Sequence, residues 1–170
     1  MAPEMHMCVR RAQWFLLLFT TGLILSGLTA FPLKAEAGLL NALAGPGTAC
    51  ASIWPALASW VAQVHRGISD AHQQYPFLFY GTDWLTFAHI VIAIAFLGAI
   101  RDPVKNVWVI EFGMIACVLV IPFALLMGGL RGIPFFWRLI DCSFGVFGII
   151  PLWLARHYLS DVRRRGSPDW

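Results

Sequence analysis

Charged residues are scarce in this sequence of 170 residues. Lys, Arg, Asp and Glu together make up 12% of it, against about 25% in soluble domains. Apolar residues make up 59%, and the mean hydropathy is +0.71. A water-soluble globule or a disordered tail of this length needs far more charge than this chain carries. The composition therefore predicts an integral membrane protein.

Common catalytic and metal-binding motifs are also lacking. The sequence has no Walker loop, no G-x-S-x-G, no H-E-x-x-H, and neither an H-x-x-x-H nor an E-x-x-H pair. Its cysteines lie far apart and form no C-x-x-C pair, which argues against a disulfide framework or a zinc site. We therefore expect no cofactor, no metal ion and no nucleic-acid partner. The cysteines are Cys8, Cys50, Cys117 and Cys142.

Four apolar stretches are each long enough to cross the hydrocarbon core of a bilayer, which takes about 20 residues. They cover residues 14–31, 83–100, 107–127 and 135–154 to a close approximation. The pattern predicts an all-α fold, in which residues 1–170 form a single transmembrane domain built on a bundle of four helices. A long segment, 32–82, separates the first two helices, and a basic tail, 155–170, ends the chain.

Lys and Arg residues are unevenly distributed over the flanks of these stretches, and such residues accumulate on the cytoplasmic side of a membrane. With the N-terminus inside, eight flanking cations are cytoplasmic and three are external. We therefore expect both termini in the cytoplasm and segment 32–82 outside. The cytoplasmic cations are Arg10, Arg11, Arg101, Lys105, Arg156, Arg163, Arg164 and Arg165, and the external ones are Lys34, Arg66 and Arg131.

The first stretch has two interpretations. Arg10 and Arg11, the apolar run and Ala35-Glu36-Ala37 together resemble a cleavable signal peptide covering residues 1–37. The run is longer than the apolar part of a typical signal peptide, which favours a retained membrane anchor. Gly22 and Ser26, four residues apart, would then suit a helix–helix contact. Cleavage would leave three spans with the same orientation.

The segment between the first two spans predicts an amphipathic helix over about Pro55–His72, with Ser52 as its N-cap. Such a helix would lie at the outer membrane surface, anchored by Trp54 and Trp60. Its apolar positions are Leu57, Trp60, Val61, Val64 and Ile68.

Ionisable residues inside membrane spans are costly and usually face the protein interior. His89 follows Asp83 in the second span and lies about 9 Å deeper at the rise of an α-helix. The fourth span runs in the opposite direction, so Asp141 falls at a similar depth and Arg138 lies one turn nearer the outer end. We expect Asp83, His89, Arg138 and Asp141 to form one buried polar cluster in the outer half of the bundle.

The fourth span also shows a face of small and charged residues. Arg138, Asp141, Gly145 and Gly148 recur at helical spacing, and glycines let a neighbouring helix approach closely. We expect this face to point into the bundle. Cys142 is turned by about 100° from Asp141 and is expected to point away from that face.

Two interpretations of the cluster remain open. Its charges either neutralise one another and fix the register of the helices, with Arg138 paired to Asp141 or Asp83, or they line a pocket for a ligand, a metal ion or a proton. In a pocket, His89 and Asp141 would form a carboxylate–imidazole pair that acts as a proton relay or general base. They are the candidate catalytic residues if the protein is an enzyme.

Glu111 stands near the cytoplasmic start of the third span, about one turn inside it. We expect it to form an ion pair with the inner loop, with Arg101 as its partner and Lys105 close by. A step in a proton path towards His89 is the alternative.

Four segments of the C-terminal half carry a resemblance. They are Tyr80-Gly81-Thr82-Asp83-Trp84, Phe87-Ala88-His89-Ile90-Val91, Trp108-Val109-Ile110-Glu111-Phe112-Gly113, and Arg131-Gly132-Ile133-Pro134 with Trp137-Arg138-Leu139-Ile140-Asp141-Cys142. Over roughly Tyr80–Leu154 the chain resembles a family of small bacterial inner-membrane proteins. The resemblance implies a location in a bacterial inner membrane and supplies no catalytic residue. The chain departs from thiol-oxidising bundles, which need paired cysteines, and from dihaem cytochrome bundles, which need facing histidines.

Three functions follow as hypotheses. The first, which the sequence favours, is a non-catalytic subunit or assembly component of a membrane complex, with other membrane subunits or further copies of the chain as partners beside the lipid bilayer. The second is a binding or transport protein that takes a lipid, quinone or small anion in the polar cluster. The third is a membrane enzyme with His89 as its base.

Overall fold

The structure is a computed structural model that describes the backbone of residues 3–166 and the side chains of residues 4–162. Within this range the chain forms seven α-helices and one short 3₁₀ helix, Pro76–Phe79, and no β-strand. The side chains of Arg163–Arg165 in the predicted basic tail, and residues 167–170, lie outside the described residues. The α-helices are α1 (Pro3–Thr29), α2 (Leu33–Ala44), α3 (Ala49–Ile53), α4 (Pro55–Gln74), α5 (Tyr80–Arg101), α6 (Val107–Leu130) and α7 (Phe135–Gly166).

Four helices in the described part of the chain are long and apolar enough to cross a membrane, as the sequence predicts. The segments are Glu4–Thr29, Pro76–Arg101, Val107–Leu130 and Phe135–Val162, with 26, 26, 24 and 28 residues. Each is longer than its predicted stretch, because helical hydrogen bonding continues into flanks that hydropathy does not mark. The all-helical fold is thereby compatible with a multi-pass helical membrane protein.

Contacts between residues divide the chain into two compact units. Met1–Leu23 and Ile92–Trp170 form one, here called the four-helix unit, and Ile24–Val91 forms the other, here called the connecting unit. Helices α1 and α5 contribute residues to both. The predicted single domain over residues 1–170 stays a prediction.

The core of the four-helix unit takes one large side chain from each of its helices. Leu16 of α1, Phe96 of α5, Ile110 of α6 and Leu152 of α7 are all fully buried and belong to one cluster. The ring of Phe19 packs on that of Phe96 with centroids 4.8 Å apart. Lipid tails solvate apolar side chains as well as a protein core does, so burial from lipid gains little free energy. This core therefore stabilises the fold chiefly through close dispersion contacts.

Glycines bring α7 against α6. A Cβ on Gly145 would collide with the carbonyl oxygen of Cys117, and a Cβ on Gly148 would lie 2.9 Å from the Cys117 Sγ. The predicted role of both glycines in a close helix contact is confirmed. Cys142 does not point away from this contact: it is buried, and its Sγ lies 3.7 Å from the carbonyl oxygen of Ile121. A helix buries a broad stripe, and Cys142, one turn before Gly145, falls inside it.

The loop between α5 and α6 is closed by side-chain hydrogen bonds. Asn106 donates its Nδ2 protons to the carbonyl oxygens of Gly98, at 3.2 Å, and Asp102, at 2.9 Å, and thereby satisfies carbonyls at the end of α5. The Asp102 carboxylate accepts the backbone N–H of Lys105 at 3.1 Å and lies 3.2 Å from the Lys105 Nζ. These donors, the backbone N–H above all, hold the pKa of Asp102 below its ordinary value of 3.8.

In the connecting unit, α2 and α4 pack together through small residues. Ala37 of α2 is buried, as are Ala58, Val61 and Ala62 of α4. α4 begins at Pro55, a residue type favoured in the first turn of a helix. Its N-cap residue is Trp54, whereas the predicted N-cap, Ser52, lies inside α3.

Candidate functional site

The four residues of the predicted polar cluster divide between the two units. Asp83 and His89 lie on α5 in the connecting unit, and Arg138 and Asp141 lie on α7 in the four-helix unit. The gathering of all four into one buried cluster stays a prediction. Within the units, Arg138 and His89 both have contacts with neighbouring helical segments that define what they do.

The turn that precedes Arg138 is encoded locally. Gly132 has a φ of +70°, a conformation that favours glycine. The N–H of Ile133 donates to the carbonyl oxygen of Gly128 at 2.9 Å, and that of Gly132 donates to Gly129 at 3.2 Å. These two bonds form the Schellman motif that commonly ends a helix. Pro134 follows and precedes the first residue of α7, so α6 and α7 form a helical hairpin.

Arg138 reaches back from α7 onto this turn. Its Nε donates to the carbonyl oxygen of Ile133 at 2.8 Å, and its Nη1 lies 3.4 Å from the carbonyl oxygen of Leu125. Its aliphatic stem lies against Gly128, where an added Cβ would be 2.7 Å from the Arg138 Cγ, and its guanidinium lies against Gly129, where an added Cβ would be 3.1 Å from Nη1. We call Arg138 with these four contact residues the Arg138 site.

The electrostatics of the Arg138 site suit a structural role. The guanidinium lies at the C-terminal end of α6, where the helix dipole is negative and a cation is stabilising. Its Cζ is also 5.8 Å from the centre of the Phe135 ring, within the range of a cation–π contact. The charge is therefore compensated by carbonyl oxygens and an aromatic ring.

Asp141 has a different environment, although it lies only one turn after Arg138. Its side chain is half-buried, and no described residue of the four-helix unit forms an ion pair or hydrogen bond with its carboxylate. The expected Arg138–Asp141 pair is thus replaced by the backbone contacts of Arg138. Side chains on a helix lean towards its N-terminus, so Arg138 extends towards the turn and away from Asp141.

His89 holds two segments of the connecting unit together. Its Nδ1 lies 2.8 Å from the carbonyl oxygen of Leu85, and because a carbonyl oxygen can only accept, Nδ1–H is the donor in this contact. A Cβ on Gly27 would collide with the Cβ of His89. One turn earlier, Thr86 donates its hydroxyl to the carbonyl oxygen of Gly27 at 2.9 Å. α1 and α5 therefore approach closely at Gly27.

This contact differs from the one that the sequence predicted for α1. A Cβ on Gly22 would meet nothing within 4 Å, and Gly22 is exposed. The glycine that makes a close contact is Gly27, directly after Ser26. Gly22 lies on an open side of the helix because it is five residues, or about 140° of helical rotation, from Gly27.

Asp83 is exposed and lies in the first turn of α5. A carboxylate there interacts favourably with the positive end of the helix dipole. Its neighbours are aromatic: the Trp84 ring lies 6.0 Å from that of Tyr80 and 5.5 Å from that of Phe87.

Glu111 forms an ion pair, but its partner is Arg156 and not Arg101. The Nε of Arg156 donates to the Oε1 of Glu111 at 2.9 Å. Arg156 lies near the end of α7, and in a helical hairpin this brings it beside the start of α6. The expectation that Arg101 pairs with Glu111 rested on nearness along the chain, which the antiparallel packing of α6 and α7 overrides.

Among the described residues, no three His, Cys, Asp or Glu side chains are placed to hold one metal ion together. No protein-family model, curated protein or solved structure matches the chain.

Proposed function

We propose that this protein is a small multi-pass membrane protein that acts as a non-catalytic subunit or assembly component of a membrane complex. The observation that carries the proposal is the Arg138 site. Arg138 is the one cation that the sequence places inside a span, and its guanidinium is taken up by the carbonyl oxygens of Ile133 and Leu125. A role in helix packing accounts for this costly residue without a substrate.

Asp141 is the group through which we propose that a partner binds. A half-buried carboxylate in a span is costly unless it is paired, and no described residue of its own unit pairs with it. A cationic or hydrogen-bond-donating side chain on a helix of another subunit, or of a second copy, would compensate it. His89 of the connecting unit is the competing partner in the alternative proposal of a ligand pocket or catalytic pair.

The proposed orientation has both termini in the cytoplasm and α4 as an amphipathic helix at the outer surface. The excess of flanking Lys and Arg residues on the same side of the membrane as the N-terminus supports this orientation. Buried alanines on one side of α4 and exposed polar residues such as Gln63 and Asp70 on another support its amphipathic character. The resemblance over Tyr80–Leu154 supports a bacterial inner membrane as the location.

Native mass spectrometry of the full-length protein, extracted gently from its own membrane, tests the proposal. We expect a stoichiometric protein partner or a defined oligomer. In Asp141→Asn the occupancy of that partner should fall at least about tenfold, since breaking a buried charge pair costs about 2 kcal/mol or more. Asp161→Asn, on the same helix, is the matched control and should leave the partner bound.

The other outcomes separate the alternatives. A monomer that carries a discrete small-molecule mass would contradict the subunit proposal and favour a pocket. A bare monomer with a pH-dependent activity that His89→Ala abolishes would favour the enzyme. Retention of the partner by Asp141→Asn would remove Asp141 from the interface.

A further inference from the structure

A groove lies between α1 and the end of α5 in the four-helix unit. It has a volume of about 280 Å³ and is lined by Arg10, Gln13, Trp14, Leu17 and Ile100. This volume is close to that of the smallest ligand pockets, about 300 Å³. The groove therefore has room for one headgroup and the first part of an acyl chain.

Its lining changes from charged to apolar along α1. Arg10 precedes the apolar run, and Leu17 lies two turns later, about 10 Å further along the helix axis. Between them the Trp14 side chain is 63% exposed, as is typical of a tryptophan at the level of lipid headgroups. The groove therefore presents a cation, an indole and an aliphatic surface in the order in which a phospholipid presents its phosphate, glycerol esters and acyl chains.

The described polar groups around Arg10 are either engaged elsewhere or not paired with it, so its guanidinium is available to an anion. Gln13 donates its Nε2 proton to the carbonyl oxygen of Ile100 at 2.9 Å, so this carbonyl at the end of α5 is engaged by an amide. Among the described residues, no carboxylate forms an ion pair with Arg10. The adjacent Arg11 is used differently, since its Cζ lies 5.6 Å from the centre of the Tyr158 ring.

From these observations we propose that the groove binds an anionic phospholipid, with the phosphate on Arg10 and an acyl chain along Leu17 and Ile100. Arginine suits this role because its guanidinium donates two parallel hydrogen bonds to a phosphate, and basic pockets between membrane helices are a known mode of lipid recognition. This inference is independent of the proposed subunit function, because it uses neither Asp141 nor the Arg138 site.

The test is a lipid titration of the full-length protein in a neutral detergent, followed by native mass spectrometry. Phosphatidylglycerol is the anionic probe, and phosphatidylcholine is the zwitterionic comparison, in which choline balances the charge of the phosphate. We expect a saturable site that prefers phosphatidylglycerol. Arg10→Gln should weaken it at least about tenfold, the loss expected for a charge-assisted hydrogen bond, whereas Arg11→Gln should stay within about twofold. The two variants remove the same charge from neighbouring residues and so control for general attraction.

A third variant keeps all the charges. Leu17→Trp fills the apolar part of the groove at a position that is already 40% exposed, so we expect a folded protein with phosphatidylglycerol binding weakened several-fold. Equal losses in Arg10→Gln and Arg11→Gln would overturn the proposal in favour of diffuse attraction. So would an absent preference for phosphatidylglycerol, or unchanged binding in Leu17→Trp.

Discussion

Replacing Gly145 by Ala tests the packing of the α6–α7 hairpin most directly. The added Cβ would collide with the carbonyl oxygen of Cys117 and would lie 2.6 Å from the Cγ1 of Val120. The carbonyl is backbone and moves only if α6 moves. The two helices must therefore separate, and the contacts around the new methyl group must loosen.

The magnitude follows from two opposing effects. Overpacking of a tight contact costs about 1–3 kcal/mol, and the change from Gly to Ala within a helix returns up to about 1 kcal/mol. We expect Gly145→Ala to lower the free energy of unfolding by about 1–2 kcal/mol. Equilibrium unfolding of the purified protein in mixed micelles, followed by circular dichroism, measures this difference.

Two other glycines of the same unit complete a graded series. A Cβ on Gly148 would lie 2.9 Å from the Cys117 Sγ, which is a side-chain atom and able to shift, and a Cβ on Gly98 would meet nothing within 4 Å. We expect Gly148→Ala to be close to neutral and Gly98→Ala to be neutral or slightly stabilising. Equal stability of the Gly145 and Gly98 variants would refute the close packing of α7 on α6.

Three further predictions concern charged residues. In a double-mutant cycle, Glu111→Gln and Arg156→Gln should show a coupling of about 0.2–1 kcal/mol, because both side chains are partly exposed; additive effects would contradict the ion pair. Arg138→Lys should lower the free energy of unfolding by about 1–2 kcal/mol, since an ammonium group cannot reproduce the planar contact of Nε with Ile133, and wild-type stability in the same unfolding assay would argue against the Arg138 site. Asp102 should titrate below its ordinary pKa of 3.8 in a carbon-13 NMR experiment. Because the pKa of Asp102 is lower in the folded state, its contribution to stability is complete above the ordinary pKa and is lost as the pH falls through the folded-state pKa. A folded-state pKa above 3.8 would refute the hydrogen bond from the Lys105 N–H.

Several features of the fold are readable from the sequence because they depend on local chemistry. The four helices that are long and apolar enough to cross a membrane follow from runs of apolar residues. The close approach of α7 to another helix was predicted from Gly145 and Gly148, since a missing side chain is visible in any sequence.

The partners of the charged residues were harder to predict. Arg138 was expected to pair with a carboxylate, but its partners in the structure are backbone carbonyl oxygens. Every residue has such an oxygen, so no sequence pattern can identify which ones bind Arg138. Glu111 was expected to pair with Arg101. The hairpin itself offered a signal for Arg156, because Glu111 and Arg156 lie almost equally far along the chain from the Gly132–Ile133 bond.

The sequence by itself determined that the protein is helical and that four of its helices are apolar enough for a membrane. Only the tertiary structure decided which helix each face packs against and which groups meet. Apolar runs mark where a long helix lies but not its rotation about its own axis, and that rotation is set by packing contacts such as Gly145 on Cys117 and Gly27 on His89. A rotation of one residue, about 100°, separates a buried Cys142 from a half-buried Asp141.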